Sequence, residues 1–128
     1  MKTAIVTTVY NEGSNVANFL RSILDQRVLP DDLVIVDGGS TDDTYAQIER
    51  FAPDFAARGV RFLTSRMRCS IAEGRNCAIA ATDAAIICVT DAGVTLDKGW
   101  FEEISRPLIE DSKVDYVGGN FEIGGKNG

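Results

Sequence analysis

Short apolar runs alternate with helical periodicities along the chain. Ala4–Val9 is rich in β-branched residues and reads as a buried strand. Val16, Phe19, Leu20, Ile23 and Leu24 follow at i, i+3, i+4, i+7 and i+8, one face of an amphipathic helix. Pro30 ends the connection, and Leu33–Val36 is a second, wholly apolar strand of the kind that suits a parallel sheet covered on both faces. Ser40 is placed to cap a helix from about Thr41, with Asp42 and Asp43 in its first turn. Tyr45, Ile48, Phe51 and Phe55 form its apolar face, with Pro53 breaking the pattern. Val60–Thr64 is a third strand, and the capping box Ser70-Ile71-Ala72-Glu73 opens a helix over Ile71–Ala81. Ala85–Thr90 is the fourth strand. Asp97 caps a helix carrying Trp100, Phe101, Ile104 and Leu108, interrupted at Pro107. Val114–Val117 reads as another strand and Asn120–Ile123 as a weaker one, while Gly124–Gly128 has no core signal.

Strands alternating with helices imply right-handed βαβ crossovers and a single α/β domain over residues 1–128. The expected architecture is a Rossmann-like sandwich, a mostly parallel sheet flanked by helices. Three strands run into polar tips: Tyr10-Asn11-Glu12, Asp37-Gly38-Gly39-Ser40-Thr41-Asp42 and Asp91-Ala92-Gly93. Ligands of open parallel sheets bind outside the carboxyl ends of the strands, so these tips should line one crevice, a site of nucleotide type.

Composition narrows the chemistry. The net charge of −6 argues against a nucleic-acid binder, and any anionic ligand must be neutralised locally by arginine, helix N-termini or a divalent cation. The absence of histidine removes the commonest general base, the commonest zinc ligand and every Ser-His or Cys-His nucleophile. Cys69, Cys77 and Cys88 form neither an even disulfide set nor a metal spacing, and Cys88 lies in an apolar run as a small core residue. Their odd number and the lack of a signal peptide lead us to expect a reducing cytoplasm. The longest apolar run, Ala84–Val89, is far short of the roughly 20 residues that cross a bilayer.

Each candidate residue has an ordinary reading beside the chemical one. Asp37 to Ser40 is a turn and helix cap, or a carboxylate with glycines that let a ligand approach. Asp91 is a turn aspartate, or a ligand for Mg²⁺ or Mn²⁺, which bind through one or two carboxylates plus phosphate oxygens. Arg75, one turn past its cap, is a solvated face residue or a partner for diphosphate. The first turn of its helix is read at the opposite end from the tip that delivers Asp91. Arg66 and Arg68 are further anion candidates. Tyr10 stacks on a base or fills its loop, with the second favoured, and Trp100 and Phe101 are core rather than a sugar platform.

Four segments taken together resemble the family 2 glycosyltransferases. They are Thr8-Val9-Tyr10-Asn11-Glu12, Val34–Thr44 with Asp37-Gly38-Gly39-Ser40-Thr41-Asp42-Asp43 inside it, Gly74-Arg75-Asn76, and Thr90-Asp91-Ala92-Gly93. Ser22–Gln26 is similar to the family's first helix and Leu96–Trp100 to the segment after its metal motif. The resemblance implies the GT-A fold and transfer of a sugar from a nucleotide-diphosphate donor to the hydroxyl of an unspecified acceptor (glycan, lipid or protein), with inversion. It implies that Thr8, Tyr10, Asn11, Glu12 and Asp37 hold the base and ribose. Gly39, Ser40 and Asp42 shape the loop, Arg75 approaches the donor, and Asp91 is the first carboxylate of an Asp-x-Asp element for Mn²⁺ or Mg²⁺. In inverting members a carboxylate deprotonates the acceptor, which attacks the anomeric carbon in a single displacement.

Two positions depart from the family pattern. Gly38 stands where a second carboxylate is usual, and Gly93 replaces the second Asp of Asp-x-Asp, so metal binding should be weaker or dispensable. Only residues 92–128 follow Asp91, and no carboxylate among them stands in a recognisable base motif; Glu122 and Asp115 are the candidates named for the base. We therefore expect a chain truncated before the acceptor and catalytic-base region, at the inner face of a membrane in the full-length protein. A nucleotide-sugar-binding module without turnover is the alternative. A receiver-type signalling domain would want paired acids at the first tip and a lysine at a later one, and this chain has neither. There is no P-loop and no Gly-x-Gly-x-x-Gly.

Overall fold

The computed structural model describes residues 1–110. The strands expected at Val114–Val117 and Asn120–Ile123, with Asp115 and Glu122, lie outside the described residues. Four parallel strands form one sheet: β1 (Thr3–Val9), β2 (Asp32–Asp37), β3 (Arg61–Arg66) and β4 (Ile86–Val89), in the order β3-β2-β1-β4. The chain winds outward from β1 to β3 and then returns to the other side of β1. The winding direction therefore reverses between β1 and β4, and at such a reversal the crossover helices diverge to opposite faces and leave a crevice.

The alternating strand residues build two cores. Ile5, Val9, Leu33, Ile35 and Cys88 face a large cluster. It is closed by Val16, Phe19, Leu20 and Ile23 of α1 (Val16–Leu24), Ile48 of α2 (Thr44–Arg50), Phe55 of α3 (Ala52–Ala57), and Trp100, Phe101 and Ile104 of α5 (Trp100–Glu110). Trp100 and Phe101 are core, as their pattern predicts. On the other face Val6, Val34 and Val36 meet Ala78 of α4 (Ile71–Ala80). That helix comes close because Gly74 and Ala78 are its buried residues. Its capping box forms as predicted, with Ser70 Oγ accepting from Glu73 N and Glu73 Oε1 from Ser70 N.

Two helix expectations are corrected, and the break expected at Pro53 is present between α2 and α3. The second helix begins at Thr44 rather than Thr41, because Asp42 Oδ1 accepts from Thr44 N and the Ser40 hydroxyl accepts from Asn11 N instead of capping. Asp42 and Asp43 therefore precede the helix. Pro53 opens α3, in the first turn where its missing N–H leaves no extra gap. Pro107 lies inside α5, which continues to Glu110; the apolar stripe buried against β4 holds the helix despite one lost backbone bond. Asp97 meets this helix through its carbonyl, which accepts from Trp100 N.

Two buried polar residues tie the frame together. Gln26 donates to Ser22 O and Asp97 O and accepts from Phe101 N, joining the end of α1 to the start of α5. Asp32, 1% exposed, sits at the amino-terminal edge of the sheet. It accepts from Arg61 at 3.2 and 3.0 Å and from Thr82 Oγ1 at 2.6 Å, and Lys2 lies 3.5 Å away. The Arg61 bonds hold its carboxyl down at about 2, against the opposing effect of burial.

Candidate functional site

The tips of β2, β1 and β4 are adjacent at the carboxyl edge. Asp37 ends β2 and is 0% exposed. Its Oδ1 accepts from Gly39 N at 2.9 Å and Ser40 N at 2.7 Å, folding the loop back on the strand end. Gly39 makes that turn with φ 98°, a conformation that disfavours a side chain. The second oxygen, Oδ2, is buried without a hydrogen-bond partner among the described residues. A carboxylate oxygen buried in this way is costly unless something donates to it. The structure thus ties one carboxylate oxygen into the loop and leaves the other without a donor among the described residues.

The loop after β1 is laced to the loop after β2. Asn11 takes φ 50°, which asparagine tolerates better than most residues. Its N donates to Ser40 Oγ at 2.8 Å, and its Oδ1 accepts from Thr41 N at 2.8 Å. Gly13 N donates to Asp42 Oδ2, and Gln47 Nε2 to Gly13 O. Ser40 is itself buried. Asn11 and Ser40 thus satisfy each other, while the Tyr10 ring is left 53% exposed. Tyr10, more than half exposed, does not fill its loop.

Arg66, at the end of β3, donates to Ser40 O at 2.6 Å and lies over the Tyr45 ring. Arg68 crosses Gly39, its Cα 3.5 Å from where a Cβ on that glycine would stand. The placement expected for Arg75 is corrected. The first turn of α4 lies at the tip edge, since Thr8 Oγ1 donates to Ile71 O and a Cβ on Gly74 would come within 2.5 Å of Thr8 Cγ2. A helix returning between parallel strands runs antiparallel to them, so it starts where they end. Arg75, half-buried, therefore belongs to the carboxyl edge of the sheet.

Asp91 is exposed beyond β4, and its Oδ1 accepts from Gly93 N at 2.9 Å. A Cβ on Gly93 would lie 3.5 Å from Asp91 Oδ1 and 3.5 Å from Glu12 Oε2. Glu12 and Asp91 therefore flank one small space across the β1–β4 reversal. Among the described residues no three His, Cys, Asp or Glu side chains gather as a metal cage. Two carboxylates beside a gap nonetheless fit a hard cation whose remaining ligands are phosphate and water oxygens. Sequence reasoning found Glu12 and Asp91 separately; their closeness depends on strand order. The Asn11 clamp had one local signal, asparagine in a tight turn after a strand.

A parallel sheet flanked by helices, whose winding reverses at tips carrying Glu12, Asp37 and Asp91, is an α/β sandwich of the GT-A class. The chain belongs to glycosyl transferase family 2, whose sequence model matches residues 4–128. No curated protein matches it. Among solved structures, Staphylococcus aureus TarS 1–349 in complex with UDP is 19% identical with a TM-score of 0.72, covering 88% of this chain and 33% of that one. The mannosyltransferase PcManGT of Pyrobaculum calidifontis, in complex with GDP-Man and Mn²⁺, is 22% identical with a TM-score of 0.75, over 86% and 33%. Mycobacterium tuberculosis glucosyl-3-phosphoglycerate synthase, with Mn²⁺, UDP and glucosyl-3-phosphoglycerate, is 23% identical with a TM-score of 0.64, over 85% and 40%. The chain spans about a third of the length of the first of these. Among the described residues no helix is long and apolar enough to cross a membrane.

Proposed function

We propose that this chain is the donor-binding part of a glycosyltransferase that moves a sugar, with inversion, from a nucleoside diphosphate to an acceptor hydroxyl. The observation that carries the reading is Asp37 Oδ2, a buried carboxylate oxygen with no donor among the described residues, at the β2 tip beside the winding reversal. Ligand binding that uncovers this buried oxygen would let a ribose hydroxyl or base N–H donate to it. Tyr10 offers the stacking face for the base, and Arg75 stands at the same edge for the diphosphate. The Asn11–Ser40–Thr41 bonds hold the two loops at fixed separation, so the donor meets an organised site. Glu12 and Asp91 would hold a divalent cation, which when bound offsets the charge developing on the departing diphosphate. The acceptor pocket and the general base would lie in chain outside the described residues. Free Cys69, Cys77 and Cys88 support a reducing, cytoplasmic setting.

A binding module without turnover is the second reading, favoured by Gly93 in place of a carboxylate. The test is a thermal-shift screen of UDP, GDP and their sugar conjugates, with and without Mn²⁺. Saturating nucleoside diphosphate should stabilise the chain by about 2.7 kcal/mol at a hundredfold excess over Kd, and Mn²⁺ should increase the shift. No shift with any nucleotide refutes the donor site. Binding with no transfer or donor hydrolysis by the full-length protein selects the module.

A further inference from the structure

We propose that Glu12, from the loop after β1, supplies the second carboxylate of the divalent-cation site that Gly93 leaves short; the inference rests on the donor-site reading. Asp91 and Gly93 follow β4, which pairs with β1 over Thr3↔Ile86 to Val6↔Val89, so the loops after these two strands meet at the winding reversal. The absent Cβ of Gly93 marks a point 3.5 Å from Asp91 Oδ1, 3.5 Å from Glu12 Oε2 and 3.7 Å from Glu12 Oε1. A carboxylate on residue 93 would start from the space that the Glu12 carboxylate borders. Glycine keeps that space open, and a side chain from a different strand reaches it.

Glu12 is held there rather than waving in solvent. Its carbonyl accepts from Asn15 N at 2.9 Å and Val16 N at 2.7 Å, and its Oε1 from Asn15 Nδ2 at 3.4 Å. The Asn11 and Gly13 bonds to the β2 loop fix the residues on either side. Neither Glu12 nor Asp91 forms an ion pair among the described residues. Two like charges beside one gap repel unless a cation joins them. A hard ion with one or two carboxylates and phosphate oxygens suits this donor set. Independent of the acidic pair, Asp37 Oδ2 on the adjoining tip is buried and unpartnered, marking the same edge as built around a ligand. In this arrangement the metal element is split between two strands instead of lying within one loop.

The experiment titrates Mn²⁺ into the full-length protein, following the free-ion signal by electron paramagnetic resonance, with and without UDP or GDP. Metal-free nucleotide affinity is measured alongside by calorimetry. Glu12→Gln keeps the shape and the Asn15 contact, and should weaken Mn²⁺ binding about tenfold or more, as Asp91→Asn should. Metal-free nucleotide affinity should fall by a smaller factor in Glu12→Gln than Mn²⁺ affinity does. Gly93→Asp placed in the Glu12→Gln protein should restore Mn²⁺ binding, because a Cβ there meets only ordinary contacts. Wild-type Mn²⁺ affinity in Glu12→Gln, with loss in Asp91→Asn, overturns the proposal and leaves the donor site standing. So does a fall in metal-free nucleotide affinity in Glu12→Gln as large as the fall in Mn²⁺ affinity, which would make Glu12 a nucleotide contact first. If the wild type binds no nucleoside diphosphate under any condition, the donor-site reading fails instead.

Discussion

Replacing Asp37 separates its structural work from its binding work, because its two oxygens do different things. In Asp37→Asn the amide oxygen can still accept from Gly39 N and Ser40 N, so folding stability should change by no more than about 1 kcal/mol. The other oxygen becomes an NH₂ group, a donor where the ligand must itself donate. That removes a hydrogen bond to a charged acceptor, worth about 1.5–3 kcal/mol, and should raise the nucleotide Kd about 10- to 150-fold. Asp37→Ala orphans both loop N–H groups as well. At about 1–3 kcal/mol for each unsatisfied donor, the loss of stability is about 2–6 kcal/mol, a large share of the roughly 5–15 kcal/mol that holds a typical domain. Calorimetry with whichever of UDP or GDP binds, in the absence of metal, reads the first effect. Urea unfolding followed by Trp100 fluorescence reads the second. An Asn variant that binds nucleotide like the wild type would show that Oδ2 does not face the ligand. Asn and Ala variants of equal stability would show that the loop does not depend on Oδ1.

Two further predictions concern the frame. Asp32 is held at about 2 in the folded chain, below the ordinary aspartate value of 3.8, a depressed carboxyl. Its contribution, about 2 kcal/mol, is therefore present above about pH 4 and lost as pH falls from about 4 toward 2; urea titrations of wild type and Asp32→Asn should converge over that range, and a pH-independent gap would contradict the ion-pair account. Gly74→Ala puts a Cβ 2.5 Å from Thr8 Cγ2, so thermal unfolding should show a loss of about 1–3 kcal/mol despite the better helix propensity of alanine. The double variant with Thr8→Ala should recover it, and failure to do so would place the strain elsewhere.

What could be read along the chain was whatever neighbouring residues decide among themselves. The spacing of Val16, Phe19, Leu20 and Ile23 specified α1, the Ser70 and Glu73 pair specified the start of α4, and the apolar runs located four strands. Each depends on contacts a few residues apart. The boundary errors arose where a distant residue took a group that local rules had assigned. Ser40 failed to cap α2 because Asn11, 29 positions earlier, donates to its hydroxyl. Pro107 did not end α5 because the core against β4 outweighs one missing bond.

The candidate site divides the same way. That Glu12, Asp37 and Asp91 close strands was legible, and so was a common edge, since parallel strands must all end on one side. Which tips touch was not, because it depends on the order β3-β2-β1-β4, and strand order is set by which helices cover which face. Only folding brought Glu12 to Gly93 and buried one oxygen of Asp37 without a donor among the described residues; Arg75 at the tip edge already follows from parallel strands, because the returning helix starts where they end. Sequence determined the elements and their chemistry through short-range periodicity; the tertiary structure decided the partnerships, because contacts between residues 80 positions apart form only when the whole sheet closes.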